Sequence, residues 1–349
     1  MKTYHFSQIG KRANNEDSLG ISDGLLTVCD GMGGHVSGER ASAFVAEQMT
    51  TAFEKPAAIG KMVIQQQLDR VQTEMNWLLT SEPLLEGMGT TFTGVFLTPD
   101  VWYAAHIGDS RIYLFRPSEQ KLWHTWDHSL VGELMRTKEI TIEAGRFHPM
   151  SNRISKAIIA RKDGRPASAS IVKIDELQQG DILMLCSDGV VEAWGDWELV
   201  QLFSDKSLSF EQKCEKIAEQ CNAKSKDNNT AIIAEIEEDD AFSYGSNEEL
   251  EWTTFAEVEA DLQQYLRDNE DEEQTIQMKP HKTKASSSGN GSKTKGNLGN
   301  RKKHPDVFSA EETPVLYGPP PITQRRVMRW IIPVAIVAAA LVALILLFR

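Results

Sequence analysis

Short apolar runs that end on an aspartate beside a glycine or serine recur along the N-terminal part of the chain. LLTVCDG reaches Asp30, AAHIGDS reaches Asp109 and LMLCSDG reaches Asp188. Two further aspartates, Asp17 in RANNED and Asp227 in DNN, stand just before strand-like runs. One aspartate at a strand end is common and caps a turn or faces water. A repeated pattern predicts a fold that brings several strand ends, with their carboxylates, to one edge.

Carboxylates gathered at one edge repel one another, and this repulsion raises their pKa values. Binding hard divalent cations through oxygen makes such a cluster stable, so the pattern predicts Mg²⁺ or Mn²⁺. The four cysteines show no C-x-x-C spacing, which favours neither a zinc site nor a disulfide framework.

The charge balance of the chain excludes some classes of partner. A formal net charge of -13 argues against nucleic acid as the main partner, because phosphate backbones are bound by basic surfaces. An apolar content of 41% allows a sizeable core. The N-terminal stretch MKTYHFSQIG lacks the apolar region of a signal peptide, so we expect the N-terminal part to stay in a reducing cytosol.

The order of predicted elements indicates the fold class. Helical patterns cover residues 38–53, 58–79, 129–136 and 210–223, and strand-like runs include TTFTGVFL, VWYAAHIG, SRIYLFR, DILMLCSD and TAIIAEI. Strands and helices do not alternate strictly, as they would in a doubly wound sheet. The pattern favours an α+β fold of antiparallel sheets with helices packed outside them.

The C-terminal end carries an uncharged run, WIIPVAIVAAALVALILLF, over residues 330–348. Its length matches the ~20 residues needed to cross a bilayer as a helix. Arg325, Arg326 and Arg329 precede it, whereas only Arg349 follows. The positive-inside rule then places the preceding chain in the cytoplasm. We therefore expect a single-pass membrane protein, of a bacterial inner membrane, with its folded domain cytoplasmic and residues 325–349 as the anchor.

The chain between the folded part and this anchor changes in composition. Residues 238–324 are acidic at first and then basic and rich in glycine and serine, which is typical of a largely disordered linker. This places the folded domain at residues 1–237. Within the linker, Phe255, Val258, Leu262 and Leu266 recur at helical spacing, so an amphipathic helix could pack on the domain or dock a partner.

Seven motifs occur in an order that resembles a known enzyme family. Over residues 12–233 the chain resembles the motif series of the metal-dependent Ser/Thr protein phosphatases of type 2C. The motifs that carry this resemblance are RANNED, DGMGGHVSGERAS, MGTT, HIGDSRIY, DHSL, CSDG and DNNTAII. The resemblance implies a four-layer αββα sandwich of two antiparallel β-sheets flanked by helices, with a dinuclear metal centre at one end. GRFHPMSNRISKAIIARKDGR resembles the family's flap, but has IIAR where a Leu-Gly pair is usual.

The resemblance implies two or three bound cations, Mn²⁺ or Mg²⁺, and a set of ligands for them. Asp30 would bridge the two core cations, with the carbonyl of Gly31 on one of them. Asp188 and Asp227 would complete the shell of the other core cation, and Asp17 would bind directly or through water. Asp109, with help from Asp188, would hold the third. The full set of implied metal ligands is Asp17, Asp30, Gly31, Asp109, Asp188 and Asp227.

Two further residues are candidates for catalysis beside the cations. Arg12 in RANNED would grip the phosphate, because its planar fork matches phosphate oxygens. His35, after the glycines of DGMGGH, would act as the general acid, a role that depends on the resemblance. Thr90 and Thr91 of MGTT are expected to support the sheet, and His106 to be a satisfied buried histidine.

The leading hypothesis is a membrane-tethered protein phosphatase. It would hydrolyse phosphoserine and phosphothreonine in proteins by direct attack of a metal-bound water, and oppose a Ser/Thr kinase. One alternative is a non-catalytic module that binds phosphorylated partners at the membrane. Another is a metal hydrolase for a small phosphorylated metabolite. Metal-dependent turnover distinguishes the phosphatase hypothesis from the non-catalytic module. A comparison of phosphopeptides with sugar phosphates distinguishes it from the metabolite hydrolase.

Overall fold

The computed structural model describes residues 1–32, 37–162 and 165–278. Within these ranges no helix combines the length and the apolarity needed to cross a membrane. The predicted anchor at residues 325–349 and the predicted linker beyond residue 278 lie outside the described residues.

Strands make up two large antiparallel sheets. The first sheet has the order β1 (Lys2–Gln8), β13 (Asn229–Glu235), β12 (Ile182–Cys186), β7 (Arg111–Arg116), β8 (Lys121–His124) and β15 (Thr253–Thr254). The second has the order β10 (Ser170–Ile174), β6 (Trp102–Ile107), β5 (Phe92–Leu97), β3 (Leu25–Met32), β4 (Gly89–Thr90) and β9 (Ile158–Ile159). A further strand, β2 (Asp17–Ile21), pairs with β3, and β11 (Glu176–Leu177) pairs with β14 (Phe242–Ser243).

Helices lie on the outer faces of these sheets. They are α1 (Gly38–Ala52), α2 (Lys61–Ser81), α3 (Leu130–Arg136), α4 (Ile142–Arg146), α5 (Asp188–Ala193), α6 (Asp196–Ser204), α7 (Phe210–Lys224) and α8 (Phe255–Met278). Short 3₁₀ turns cover Pro83–Leu85 and Glu238–Asp240.

Strand β7 shows why the layers stack in this order. Its side chains alternate between two faces, as in any strand. Ile112 and Leu114 join the apolar cluster between the sheets, whereas Tyr113 and Phe115 join the cluster beneath the helices. A strand that is buried on both faces has a continuous run of apolar residues in its sequence.

Each sheet buries its outer face against a different set of helices. Val45 and Met49 of α1, with Leu68 of α2, pack on the second sheet. Leu199 of α6 and Ile217 of α7 pack on the first. The predicted α+β fold, with antiparallel sheets flanked by helices, is confirmed.

The strand predicted to end at Asp30 continues to Met32. Strand β4 pairs there, with Gly31 opposite Thr90 and Met32 opposite Gly89. This long-range pairing extends β3 beyond the apolar run that the sequence displays, so the predicted strand end is wrong.

Regular structure also continues past residue 237, where the linker was predicted to begin. The amphipathic pattern forms α8, and Phe255 and Val258 are buried in the cluster beneath the first sheet. Of the two alternatives for this helix, packing on the folded domain is the one observed.

Candidate active site and metal centre

The predicted acidic residues reach one end of the sandwich by different routes. Asp17 begins β2 and lies directly opposite Asp30 of β3. Asp109 lies in the turn between β6 and β7, after Gly108, whose φ of 109° is left-handed. Asp188 begins α5, and Asp227 stands just before β13.

These elements bring most of the predicted site into one cleft. Asp17 is buried beside it, opposite Asp30. The predicted residues that line the cleft are Arg12, Asp30, Gly31, Asp109, Asp188 and Asp227.

The backbone of Asp30 is held by the two threonines of MGTT. Its N–H donates to Thr91 Oγ1 at 2.9 Å, and its carbonyl accepts from Thr91 N at 2.8 Å and from Thr90 Oγ1 at 2.9 Å. Both threonines are fully buried. They therefore support the sheet beneath the carboxylate, as predicted.

Gly31 occupies a position that no other residue fits. A Cβ atom there would lie 2.2 Å from the Gly38 carbonyl oxygen and 2.5 Å from the Glu16 carbonyl oxygen. The Gly31 N–H donates to that same Glu16 oxygen at 3.1 Å. Glycine is required at this position because two other backbone segments approach it closely.

Asp17 is a buried carboxylate with only part of its hydrogen-bonding capacity used. Ser187 Oγ donates to Asp17 Oδ2 at 2.7 Å. Asp17 Oδ1 is buried and has no hydrogen-bond partner in the described part of the chain. Burial raises the pKa of Asp17 to about 6.

The other carboxylates of the cleft are perturbed in the same direction. Burial raises the pKa of both Asp30 and Asp188 well above the ordinary range, and repulsion from neighbouring aspartates adds to the shift. Burial also raises the pKa of Asp109 to about 7, with Asp127 as the next contributor. Like Asp17 Oδ1, Asp188 Oδ1 is buried without a hydrogen-bond partner among the residues described.

Such a donor set fits divalent cations. Buried oxygens that lack partners and repel one another gain most from a hard cation. As the side chains stand, no three His, Cys, Asp or Glu residues of the described ranges form a ready-made ligand cluster.

Arg12 lies at the rim of the cleft. Its Nη2 pairs with Asp227 Oδ2, and its side chain remains 58% exposed. The attraction of Asp227 raises the pKa of the guanidinium further. The predicted phosphate-binding arginine thus contacts a predicted metal ligand.

The segment that resembles the family's flap forms one side of the cleft. Asn152 and Ile154 contribute to the lining. Its unusual isoleucines form β9, where Ile158 is buried and pairs with Thr90. The departure from the family pattern thus lies in the sheet.

His35, the predicted general acid, falls in residues 33–36, outside the described ranges.

One supporting residue was missed by sequence reasoning. His128 Nδ1 accepts from the N–H of Gly108 at 3.1 Å, next to Asp109, and its Nε2 bonds Ser170 Oγ at 2.8 Å. Burial lowers the pKa of His128 to about 3. It stacks at 4.3 Å on His106, which is buried and bonded to the Trp126 carbonyl as expected of a satisfied histidine. His128 belongs to the motif DHSL, but that motif indicated no role for it.

Asn228, in the motif DNN, was also missed. Its Oδ1 accepts from the N–H of Glu16 at 2.9 Å, and its Nδ2 donates to the carbonyls of Ile9 and Asn14. It thereby fastens the loop that carries Arg12 to the start of β13. Asparagine beside an aspartate signals a turn in sequence, but the partners lie more than 200 residues away.

A carboxylate-lined cleft at one end of a two-sheet sandwich is the arrangement of a metal-dependent hydrolase. A family model described as Protein phosphatase 2C matches residues 7–232. The chain therefore belongs to the protein phosphatase 2C family and is a phosphoprotein phosphatase.

Several bacterial proteins are similar to the chain. The serine/threonine phosphatase stp of Listeria innocua is 30% identical over 234 residues, which are 64% of this chain and 91% of that protein. The crystal structure of serine/threonine phosphatase Stp1 from Staphylococcus aureus is 29% identical with a TM-score of 0.58, covering 68% of this chain and 95% of that one. The catalytic domain of PstP, in complex with 2 manganese ions, is 27% identical with a TM-score of 0.57, covering 68% and 98%.

Proposed function

We propose that this chain is a metal-dependent protein serine/threonine phosphatase that hydrolyses phosphoserine and phosphothreonine esters in proteins. The observation that carries the proposal is the convergence of four aspartates, Gly31 and Arg12 in one cleft. The names of the bacterial relatives support the choice of substrate.

Two or three divalent cations, Mn²⁺ or Mg²⁺, would be the cofactors. When bound, they supply Lewis-acid activation of water and neutralise phosphate oxygens that an acidic protein would repel. The residues that would hold the cations are Asp17, Asp30, Gly31, Asp109, Asp188 and Asp227.

The chain's own side chains would bind and orient the phosphate. Arg12 reaches the rim of the cleft with an exposed guanidinium, which can donate to phosphate oxygens in a bidentate manner. Asp227 orients that guanidinium through the ion pair between them. His35 would donate the proton to the leaving seryl or threonyl oxygen.

We further propose that the protein is tethered to the cytoplasmic face of a bacterial membrane by residues 330–348. The apolar run and the preceding arginines support this orientation. The polar segment from residue 279 to 324 would link the phosphatase domain to the anchor. Its counterpart would be a Ser/Thr kinase, so loss of the protein should raise phosphoserine and phosphothreonine in membrane-associated proteins.

The activity is tested with the full-length chain and Mn²⁺ on phosphoserine and phosphothreonine peptides, with sugar phosphates for comparison. We expect turnover of the peptides that disappears in Asp30→Asn and Asp188→Asn. The matched control is Asp100→Asn, since Asp100 is exposed in the turn between β5 and β6. A strong preference for sugar phosphates would overturn the substrate class. Binding of phosphopeptides without turnover would overturn the enzyme proposal.

The tether is tested by fractionating cells that express the full chain or a chain that ends at residue 278. We expect the full chain in the membrane fraction, resistant to high salt, and the shortened chain in the supernatant. A full chain that washes off with salt would contradict a spanning anchor.

A further inference from the structure

Helix α8 lies beyond residues 7–232, the segment that the family model matches. Its first turns are anchored in the domain by Phe255 and Val258, both buried beneath the first sheet. From there the helix runs across α6 and α4. Helix α8 is therefore an addition to the family domain, and it packs on that domain through buried side chains.

Two side chains of α8 reach α4 and the residue that follows it. Asp261 Oδ2 accepts from the N–H of Ile142 at 2.9 Å and from the N–H of Glu143 at 3.4 Å. The ring of Tyr265 stacks on Phe147, with centroids 6.2 Å apart and planes at 29°. Asp261 and Tyr265 are four residues apart, so they lie on the same face of the helix.

Helix α4 and the following turn, residues 142–152, form what we call the cleft wall. Gly145, His148 and Asn152 of this wall line a groove that also contains Asp109 and Asp188. Phe147, which Tyr265 contacts, is 57% exposed. The wall is thus the part of the cleft that a protein substrate would meet beside the acidic residues.

The N-terminal end of the cleft wall is held partly by groups outside the wall. Helix α4 has 5 residues, and a helix this short is marginal without partners. Its own cap, Thr141, accepts from the N–H of Ala144 at 3.1 Å. The N–H groups of Ile142 and Glu143 are taken up by Asp261. Helix α4 also packs on Met135 of α3 and pairs with α6 through Arg146 and Glu198. The caps on its first two N–H groups, however, come from α8.

We propose that α8 is an intramolecular clamp on the cleft wall, with Asp261 and Tyr265 as positioning residues for the binding of protein substrates. When α8 is seated, α4 and the turn after it stand where a phosphoprotein docks beside the acidic cleft. When α8 leaves, the wall loosens while the sheets that carry the aspartates stay intact. The proposal rests on the proposed function for its substrate, but the clamp itself is a property of the fold.

The first test measures hydrogen exchange of the full-length chain. In Asp261→Ala, amide exchange over residues 142–152 should rise by roughly fivefold, the effect of losing one helix cap. Asp261→Asn keeps an acceptor oxygen and should restore protection. Tyr265→Ala should also loosen the wall, whereas Tyr265→Phe, which keeps the ring, should not. Gln263→Ala, on the exposed face of α8, is the matched control.

The second test separates positioning from loss of stability. In Asp261→Ala the KM for a phosphopeptide should rise several-fold, while kcat and the hydrolysis of p-nitrophenyl phosphate change little, because the small substrate does not need the wall. A general loss of stability would lower turnover of both substrates equally and would overturn the proposal. Unchanged exchange over residues 142–152 in a folded Asp261→Ala variant would also overturn it. The exchange measurement needs no turnover. It therefore tests whether α8 holds residues 142–152 in place even if the protein proves to have no phosphatase activity.

Discussion

Asp17 and Asp30 lie directly opposite each other on the antiparallel strands β2 and β3. Like charges at opposed positions of a sheet destabilise it. Here both residues are acidic, and burial raises the pKa of each. Only a bound cation or a proton relieves this repulsion. The pair is therefore the clearest physical reason why this sheet should be stabilised by a divalent cation.

The first prediction concerns addition of metal. Mn²⁺ at 100 times its dissociation constant should stabilise the wild-type protein by about 2.7 kcal/mol, because it binds the folded state alone. Asp17→Asn should show a smaller gain, since one charge near the cation is lost. The measurement is thermal unfolding with EDTA and with Mn²⁺. An equal gain in both proteins would contradict a role for Asp17 in holding the cation.

The second prediction concerns Gly31. Gly31→Ala should destabilise the fold by about 3 kcal/mol or more, because its Cβ would meet two carbonyl oxygens of other segments. Gly60→Ala is the control, since a Cβ at Gly60 meets nothing within 4 Å. Urea unfolding compares the two variants. Similar midpoints for both would show that the segments around Gly31 can move apart.

The third prediction concerns Arg12. Arg12→Ala should raise the KM for a phosphopeptide by about tenfold or more, the effect of losing a charge-assisted hydrogen bond to phosphate. Stability should change little, because the ion pair with Asp227 is exposed on the arginine side. Arg70→Ala removes a comparable exposed pair, with Glu74 on α2, and serves as the control. Equal kinetics in the two variants would exclude Arg12 from phosphate binding.

The fourth prediction concerns the pH dependence of stability through His128. Its folded-state pKa is lowered to about 3 from an ordinary value of 6.5, so the unfolded chain takes up the proton first. The stability contributed by neutral His128 is full above pH 6.5 and is lost as the pH falls toward 3. In His128→Asn, whose amide oxygen can still accept from Gly108, this part of the acid sensitivity should disappear. Urea unfolding of both proteins across this range measures the difference, and identical pH profiles would contradict it.

Local pattern was enough to predict most elements of the domain. The helices α1, α2, α3 and α7 begin and end within a few residues of the predicted ranges. Strand β3 was predicted too short because its last two residues pair with a segment nearly 60 residues away. The helix α8 was one of two open alternatives, and the contact of Phe255 and Val258 with the core decided between them.

The sequence by itself determined which residue types are available for chemistry at this site. Five aspartates beside apolar runs, a glycine that must stay small and an arginine in RANNED are visible as local patterns, because each depends on its immediate neighbours in the chain. Only the tertiary structure decided which of them meet: that Asp17 faces Asp30, that Arg12 pairs with Asp227 and that Asp261 caps α4. These relationships join segments far apart in sequence. They are set by strand register and by packing between layers, which no local pattern encodes.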